Sequence, residues 1–110
     1  MASNMRIIFL LFCFAMLSIQ NLVPAETRTV QGVVTNNREP IRGAVVQIEN
    51  RATMQLRSYI TQQDGAYHFA NLQLDADYQV WAKRGDMESK KQTVSQFNSK
   101  KVVRIDLVLE

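Results

Sequence analysis

From Thr29 onward, apolar residues recur at every second position rather than every third or fourth, and that period dictates strands. Val30, Gly32 and Val34 alternate with Thr29, Gln31 and Val33, and Val46 and Ile48 share a face after Gly43-Ala44. Tyr67 and Phe69 alternate with Ala66, His68 and Ala70. Tyr78, Val80 and Ala82 form another row, with Gln79, Trp81 and Lys83 on the opposite face. The last run sets Val103, Ile105, Leu107 and Leu109 against Arg104 and Asp106. With Leu56–Thr61 and the polar stretch Glu88–Val94, this makes about seven short strands, spaced as in a sandwich or small barrel. A lone sheet leaves such rows uncovered, whereas two sheets packed face to face bury them. The expectation is one all-β domain over residues 26–110, a seven-stranded antiparallel or mixed β-sandwich.

Turn residues punctuate the strands. Asn36-Asn37 and Glu39-Pro40 mark a first turn, because Asn tolerates positive φ and Pro fixes its own. Asp64-Gly65 between alternating segments predicts a hairpin, since Gly takes φ > 0 without steric cost. Glu88–Val94, polar and weak, suits a sheet edge, where Lys90 and Lys91 would discourage self-pairing and leave a monomer.

The residues before this region follow a different grammar. Arg6 precedes the apolar run Ile7–Leu17, and Val23-Pro24-Ala25 supplies compact residues before a cleavage point. Positive, apolar and then small is the order of a secretory signal peptide. Residues 1–25 are therefore expected to direct the chain to the periplasm or the exterior and to be removed near Ala25. A retained anchor is the alternative, but a bilayer needs about 20 apolar residues, and Ser18, Gln20 and Asn21 interrupt the run. No membrane span is expected in the mature chain. Cys13, the single cysteine, would leave with the leader, so no disulfide is available.

Charge excludes one partner class. Beyond residue 25 stand 12 Lys and Arg against 10 Asp and Glu, a balance of +2, without the clustered basic face of a nucleic-acid binder. Catalytic constellations are equally absent from the pattern. One histidine, His68, with no cysteine beyond residue 25, does not furnish the ligands of a zinc site. Ser58 is the nearest serine to His68 along the chain and has no nucleophile motif around it. Asp64, Asp75 and Asp77 fall short of the six to eight oxygens of a calcium site. No metal, cofactor or enzymatic activity is expected. Trp81, beside Gln79 and Lys83, is the candidate ligand-binding residue: an exposed indole among polar groups can stack on a sugar or anchor a protein.

The spacing Val30-x-Gly32-x-Val34, then Pro40-x-x-Gly43-Ala44-x-Val46-x-Ile48, resembles the opening of the carboxypeptidase regulatory-like domain. Thr61-x-x-Asp64-Gly65-x-Tyr67-x-Phe69 and Tyr78-x-Val80-x-Ala82 continue it, with Gln62 in place of the acidic residue often found after the Thr. The resemblance implies a transthyretin-like sandwich of the carbohydrate-binding-like group, acting as a non-catalytic accessory module. Gly32 would then permit a bulge or a close approach of the opposing sheet, Pro40 a bend, and Gly43-Ala44 a close crossing. Tyr67, Phe69 and Tyr78 would fill the core. The function expected is an exported interaction module for a protein or cell-envelope partner, or alternatively a small carbohydrate-binding protein using Trp81.

Overall fold

The computed structural model describes residues 26–110. The expected signal peptide over 1–25, with Cys13 and the cleavage near Ala25, lies outside the described residues.

The alternating runs fold as strands in two sheets. In order they are β1 (Thr27–Asn36), β2 (Glu39–Pro40), β3 (Val45–Asn50), β4 (Leu56–Ile60), β5 (Ala66–Gln73), β6 (Tyr78–Arg84), β7 (Met87–Glu88), β8 (Gln92–Val94), β9 (Val102–Arg104) and β10 (Leu107–Val108). The count exceeds the expected one because Glu88–Val94 divides into β7 and β8, the last run divides into β9 and β10, and the first turn adds β2. That turn is as the asparagine implied: Asn37 and Arg38 have φ of 51° and 70°, and Glu39 and Pro40 pair back onto Asn36 and Thr35.

β1 is the axis of the first sheet. β5 and β2 pair along one flank, antiparallel, and β9 and β10 along the other, parallel. The second sheet runs β4-β3-β6, with β7 and β8 on the far flank of β6. Between the sheets lie Val30, Val34, Val46, Ile48, Tyr67, Phe69, Tyr78, Val80, Leu107 and Leu109, all nearly or fully buried. These are the inward phases of the alternation. Without a disulfide, their burial is the main force holding the sandwich, at about 25 cal/mol for each Å² of apolar surface removed from water. Where the second sheet meets the last strand, Glu110 and Glu88 exchange backbone N–H···O bonds of 3.2 and 3.3 Å, so that flank of the sandwich is stitched shut.

The break between β9 and β10 has a local cause. A Cβ on Gly32 would lie 1.8 Å from the Ile105 carbonyl oxygen, so only a bare Cα lets the last strand pass here. The Tyr67 hydroxyl donates to that same carbonyl at 2.6 Å. Burial, reinforced by the Asp106 carboxylate and opposed by Arg104, pushes the Tyr67 phenol above its usual pKa and keeps it a donor. Asp106 Oδ1 accepts the Val33 N–H at 3.0 Å, a side chain standing in for a missing ladder carbonyl. The close approach at Gly32 therefore comes from the link between two strands of its own sheet, not from the opposing sheet.

Two expectations about turns are corrected. Asp64-Gly65 does not close a hairpin: β4 pairs with β3 and β5 with β1, so this turn carries the chain from one sheet to the other. The reason is what its ends bind. Thr61 is held beside the second sheet, its N–H donating to Ala44 O and its C=O accepting the Gly43 N–H, just before β3. Gly65 O accepts the Val34 N–H of β1, at a place where a Cβ would sit 2.6 Å from Val34 O. Gly43 likewise is no close crossing. A Cβ there would meet only Arg84 Nε, at 3.9 Å, and what requires glycine is its φ of 78°. Ala44, fully buried, donates its N–H to Thr61 Oγ1.

Candidate functional site

The alternation of β1 puts positions 28, 30, 32 and 34 inside, and at the first of these stands a charged residue. Arg28 is 1% exposed. Among the described residues its guanidinium meets no carboxylate; it donates Nε to Lys100 O at 3.0 Å, Nη1 to Ser95 O at 3.1 Å and Nη2 to Asn98 O. A planar fork with five donors suits several carbonyls fixed in different directions, and these dipoles offset the cost of removing the charge from water. The segment they organise is the loop Ser95–Lys101 between β8 and β9.

Side chains also take three of that loop's N–H groups. Asp77 Oδ1 accepts the Gln96 N–H at 2.6 Å, Ser95 Oγ the Phe97 N–H at 3.1 Å, and Asn98 Oδ1 the Lys100 N–H at 3.0 Å. On this rigid base Phe97 projects with 87% of its surface exposed, beside exposed Lys100 and Lys101. Phe97 is the most exposed large hydrophobic residue among those described. The same end of the sandwich carries the β3–β4 loop, with Met54 at 59% exposure, and the β5–β6 loop, tied to its neighbour by Arg51 N–H donating to Asp77 O.

Trp81 differs from its expectation. Register with Gln47 confirms that it lies with Gln79 and Lys83 on the outer face of β6, but it is 7% exposed. The chain between β7 and β8 brings the Lys91 ammonium 4.6 Å from the ring centroid, closing the face that a sugar would need. The indole is therefore no open platform. Lys83 reaches toward Glu88 at 3.8 Å, an exposed pair that contributes little. Lys91→Ala is expected to raise acrylamide quenching of Trp81 fluorescence and shift its emission to the red, at a stability cost under about 1 kcal/mol. Unchanged quenching would show that the ring is covered by something other than Lys91.

The groups weighed for catalysis do not converge. Ser58 and His68 project from the outer faces of different sheets, and His68 packs its ring against Tyr59 at 5.2 Å. Asp77 is committed to the Gln96 N–H, and no cluster of three His, Cys, Asp or Glu occurs among the described residues. A cavity of about 150 Å³ between the sheets is lined by Asn50, Gln55, Arg57, Gln73 and Tyr78. Several of its polar groups are engaged internally: Asn50 Oδ1 accepts from Ala52 and Thr53, and the Tyr78 hydroxyl from the Gln73 N–H.

Arg28 and Phe97 went unselected in the sequence, although each left a signal. Arg28 is a charge in the inward phase of a strand. Phe97 is an aromatic in a polar stretch that belongs to no alternation.

Comparison with known proteins agrees with this architecture. The family model of the carboxypeptidase regulatory-like domain matches residues 29–110. No curated protein matches the chain in sequence. Among solved structures it is similar to BcpA, the major pilin subunit of Bacillus cereus, with a TM-score of 0.60 and 10% identity over 76% of this chain and 30% of that one. It is similar to S.CueP, with a TM-score of 0.58 and 8% identity over 81% of this chain and 67% of that one. It is also similar to the group B streptococcus pilus 2b backbone protein, with a TM-score of 0.55 and 13% identity over 79% of this chain and 43% of that one. The chain thus spans less than half of either pilus protein, and at these identities the likeness is one of fold.

Proposed function

Because the chain belongs to the carboxypeptidase regulatory-like domain family, we propose that it is an exported, non-catalytic binding module that engages a protein or cell-envelope partner through the Ser95–Lys101 loop. The observation that carries this reading is Phe97, 87% exposed on a loop whose backbone is tied down by a buried arginine. An apolar anchor held in one conformation before binding loses little entropy when it docks, and interface energy concentrates in such aromatic anchors. Export follows from the leader grammar of residues 1–25, and two pilus proteins among the fold neighbours support an envelope setting.

The test places a photoreactive phenylalanine at position 97 of the full chain, in the cells that produce it, with the same group at Asp86 as control. Asp86 lies in the turn between β6 and β7, at the opposite end of the sandwich. Irradiation is expected to give a discrete adduct from position 97 and none from position 86. Protease and glycosidase digestion of the adduct then separates a protein from a glycan partner. Equal diffuse labelling from both positions would sink the proposal.

A further inference from the structure

Most sheet flanks of the described chain are closed or guarded. β7 is bonded to Glu110, and the connection into β8 carries Lys90 and Lys91. On β5 the Ala70 carbonyl is taken by Arg57 Nη1 at 2.7 Å, and the β1–β5 register shifts between Arg28 and Val30. β4 is different. Among the described residues it pairs with β3 alone, and Leu56, Arg57, Ser58 and Ile60 are exposed. It holds no proline, lysine, acidic residue or bulge, and its one charge, Arg57, turns inward onto the Phe69 ring and Ala70 O of its own chain.

We infer that β4 is a self-pairing edge, through which two copies of the chain associate antiparallel about Ser58 and join their second sheets into one. The first support is the direction of the backbone groups. Gln55 O accepts from Asn50 N–H, and Thr61 both donates to Ala44 O and accepts from Gly43 N–H, so the odd-numbered residues face β3. Leu56, Ser58 and Ile60 therefore turn their N–H and C=O groups to the open flank. An antiparallel pair centred on Ser58 sets these groups opposite their counterparts: Ser58 exchanges both bonds with Ser58 of the other copy, and Leu56 does so with Ile60. A register slipped by one residue, with the centre between two residues, would aim the wrong groups at each other, and a centre at Arg57 would set two arginines opposite one another.

The second support is that the side chains match under the same two-fold operation. On the outer face Leu56, 50% exposed, meets Ile60, 61% exposed, next to Val45 of the adjoining strand at 36%. These contacts cover apolar surface that a lone copy leaves in water. On the inner face Arg57 of one copy faces Tyr59 of the other, with no like charges opposed. A symmetric contact demands that one patch complement itself, and Leu-Arg-Ser-Tyr-Ile read backwards pairs apolar with apolar and cation with aromatic. This edge is distinct from the Phe97 loop, so the pairing stands or falls independently of the binding role proposed above.

The full chain carrying Ser58→Cys is compared with the full chain carrying Thr93→Cys, also an exposed strand position, on β8; Cys13 is common to both. Residues exchanging backbone bonds across an antiparallel pair lie about 5.5 Å apart at Cα, within reach of a disulfide. Mild oxidation is expected to give a reducible dimer with Ser58→Cys and none with Thr93→Cys. Adding Ile60→Lys, or in a separate variant Leu56→Lys, is expected to abolish that cross-link while each chain keeps its melting transition. A monomeric Ser58→Cys chain overturns the inference and leaves the edge to a foreign strand. Equal cross-linking at Thr93, or a cross-link that survives both lysines, overturns it as well.

Discussion

Gly32→Ala is expected to be among the most damaging single changes this fold can suffer. The added methyl would occupy space 1.8 Å from Ile105 O and 3.1 Å from the Tyr67 ring. The neighbour is backbone, so no side-chain rotation relieves the clash. Either β1 moves away from β5, or the last strand lifts off and the Tyr67 hydroxyl loses its acceptor. Overpacking of this kind costs about 3 kcal/mol or more, which in a domain this small lowers the melting temperature by roughly 12 °C or more. Gly85→Ala provides the scale. That glycine has φ of 58° but nothing within 4 Å of an added Cβ, so alanine there carries only the left-handed backbone penalty of about 1–2 kcal/mol. A melting curve for Gly32→Ala no lower than that for Gly85→Ala would refute the steric account.

Arg28→Met is expected to be comparable in size but different in character. Methionine fills much of the same volume, yet the carbonyls of Ser95, Asn98 and Lys100 lose their donor. Each buried acceptor left unpaired costs about 1–3 kcal/mol, and water reaching part of the loop moderates the sum to about 3 kcal/mol. Arg28→Lys keeps the charge but not the fork, so it is expected to fall close to the methionine variant. The distinguishing readout is local. Hydrogen exchange at the amides of Gln96, Phe97 and Lys100 should accelerate more than exchange in β3 or β6, and adduct formation from position 97 should weaken with it. Uniform acceleration across the domain would mean that Arg28 supports the core generally rather than the loop.

What could be read from the chain divides along a physical line. Strand positions and their inward faces were legible, because a period of two is written in the residues themselves: Tyr67, Phe69, Tyr78, Val80 and Leu107 are all buried where alternation puts them. Pairing partners were not. Asp64-Gly65 has the chemistry of a tight turn, but whether such a turn joins two neighbours or two sheets depends on Thr61 gripping Ala44 and Gly65 gripping Val34, contacts remote in sequence. The unbroken alternation of Val103 to Leu109 hid the interruption at Ile105, whose carbonyl lies where a side chain at position 32 would stand. Trp81 shows the same limit in the candidate site. Its outward direction was readable, whereas the Lys91 lid depends on the path between two short strands.

The way β1 lies beside β9 and β10 has a mechanical consequence. These strands run parallel, with Thr29 beside Val102 and Thr35 beside Val108, so one begins and the other finishes at opposite ends of the sandwich. Tension applied between Thr27 and Leu109 therefore pulls along the strands and loads their shared hydrogen bonds together, in shear. A hairpin pulled from its open end would instead unzip bond by bond. The contact between first and last strands makes the domain stiffest along the axis on which a tethered chain would be stretched.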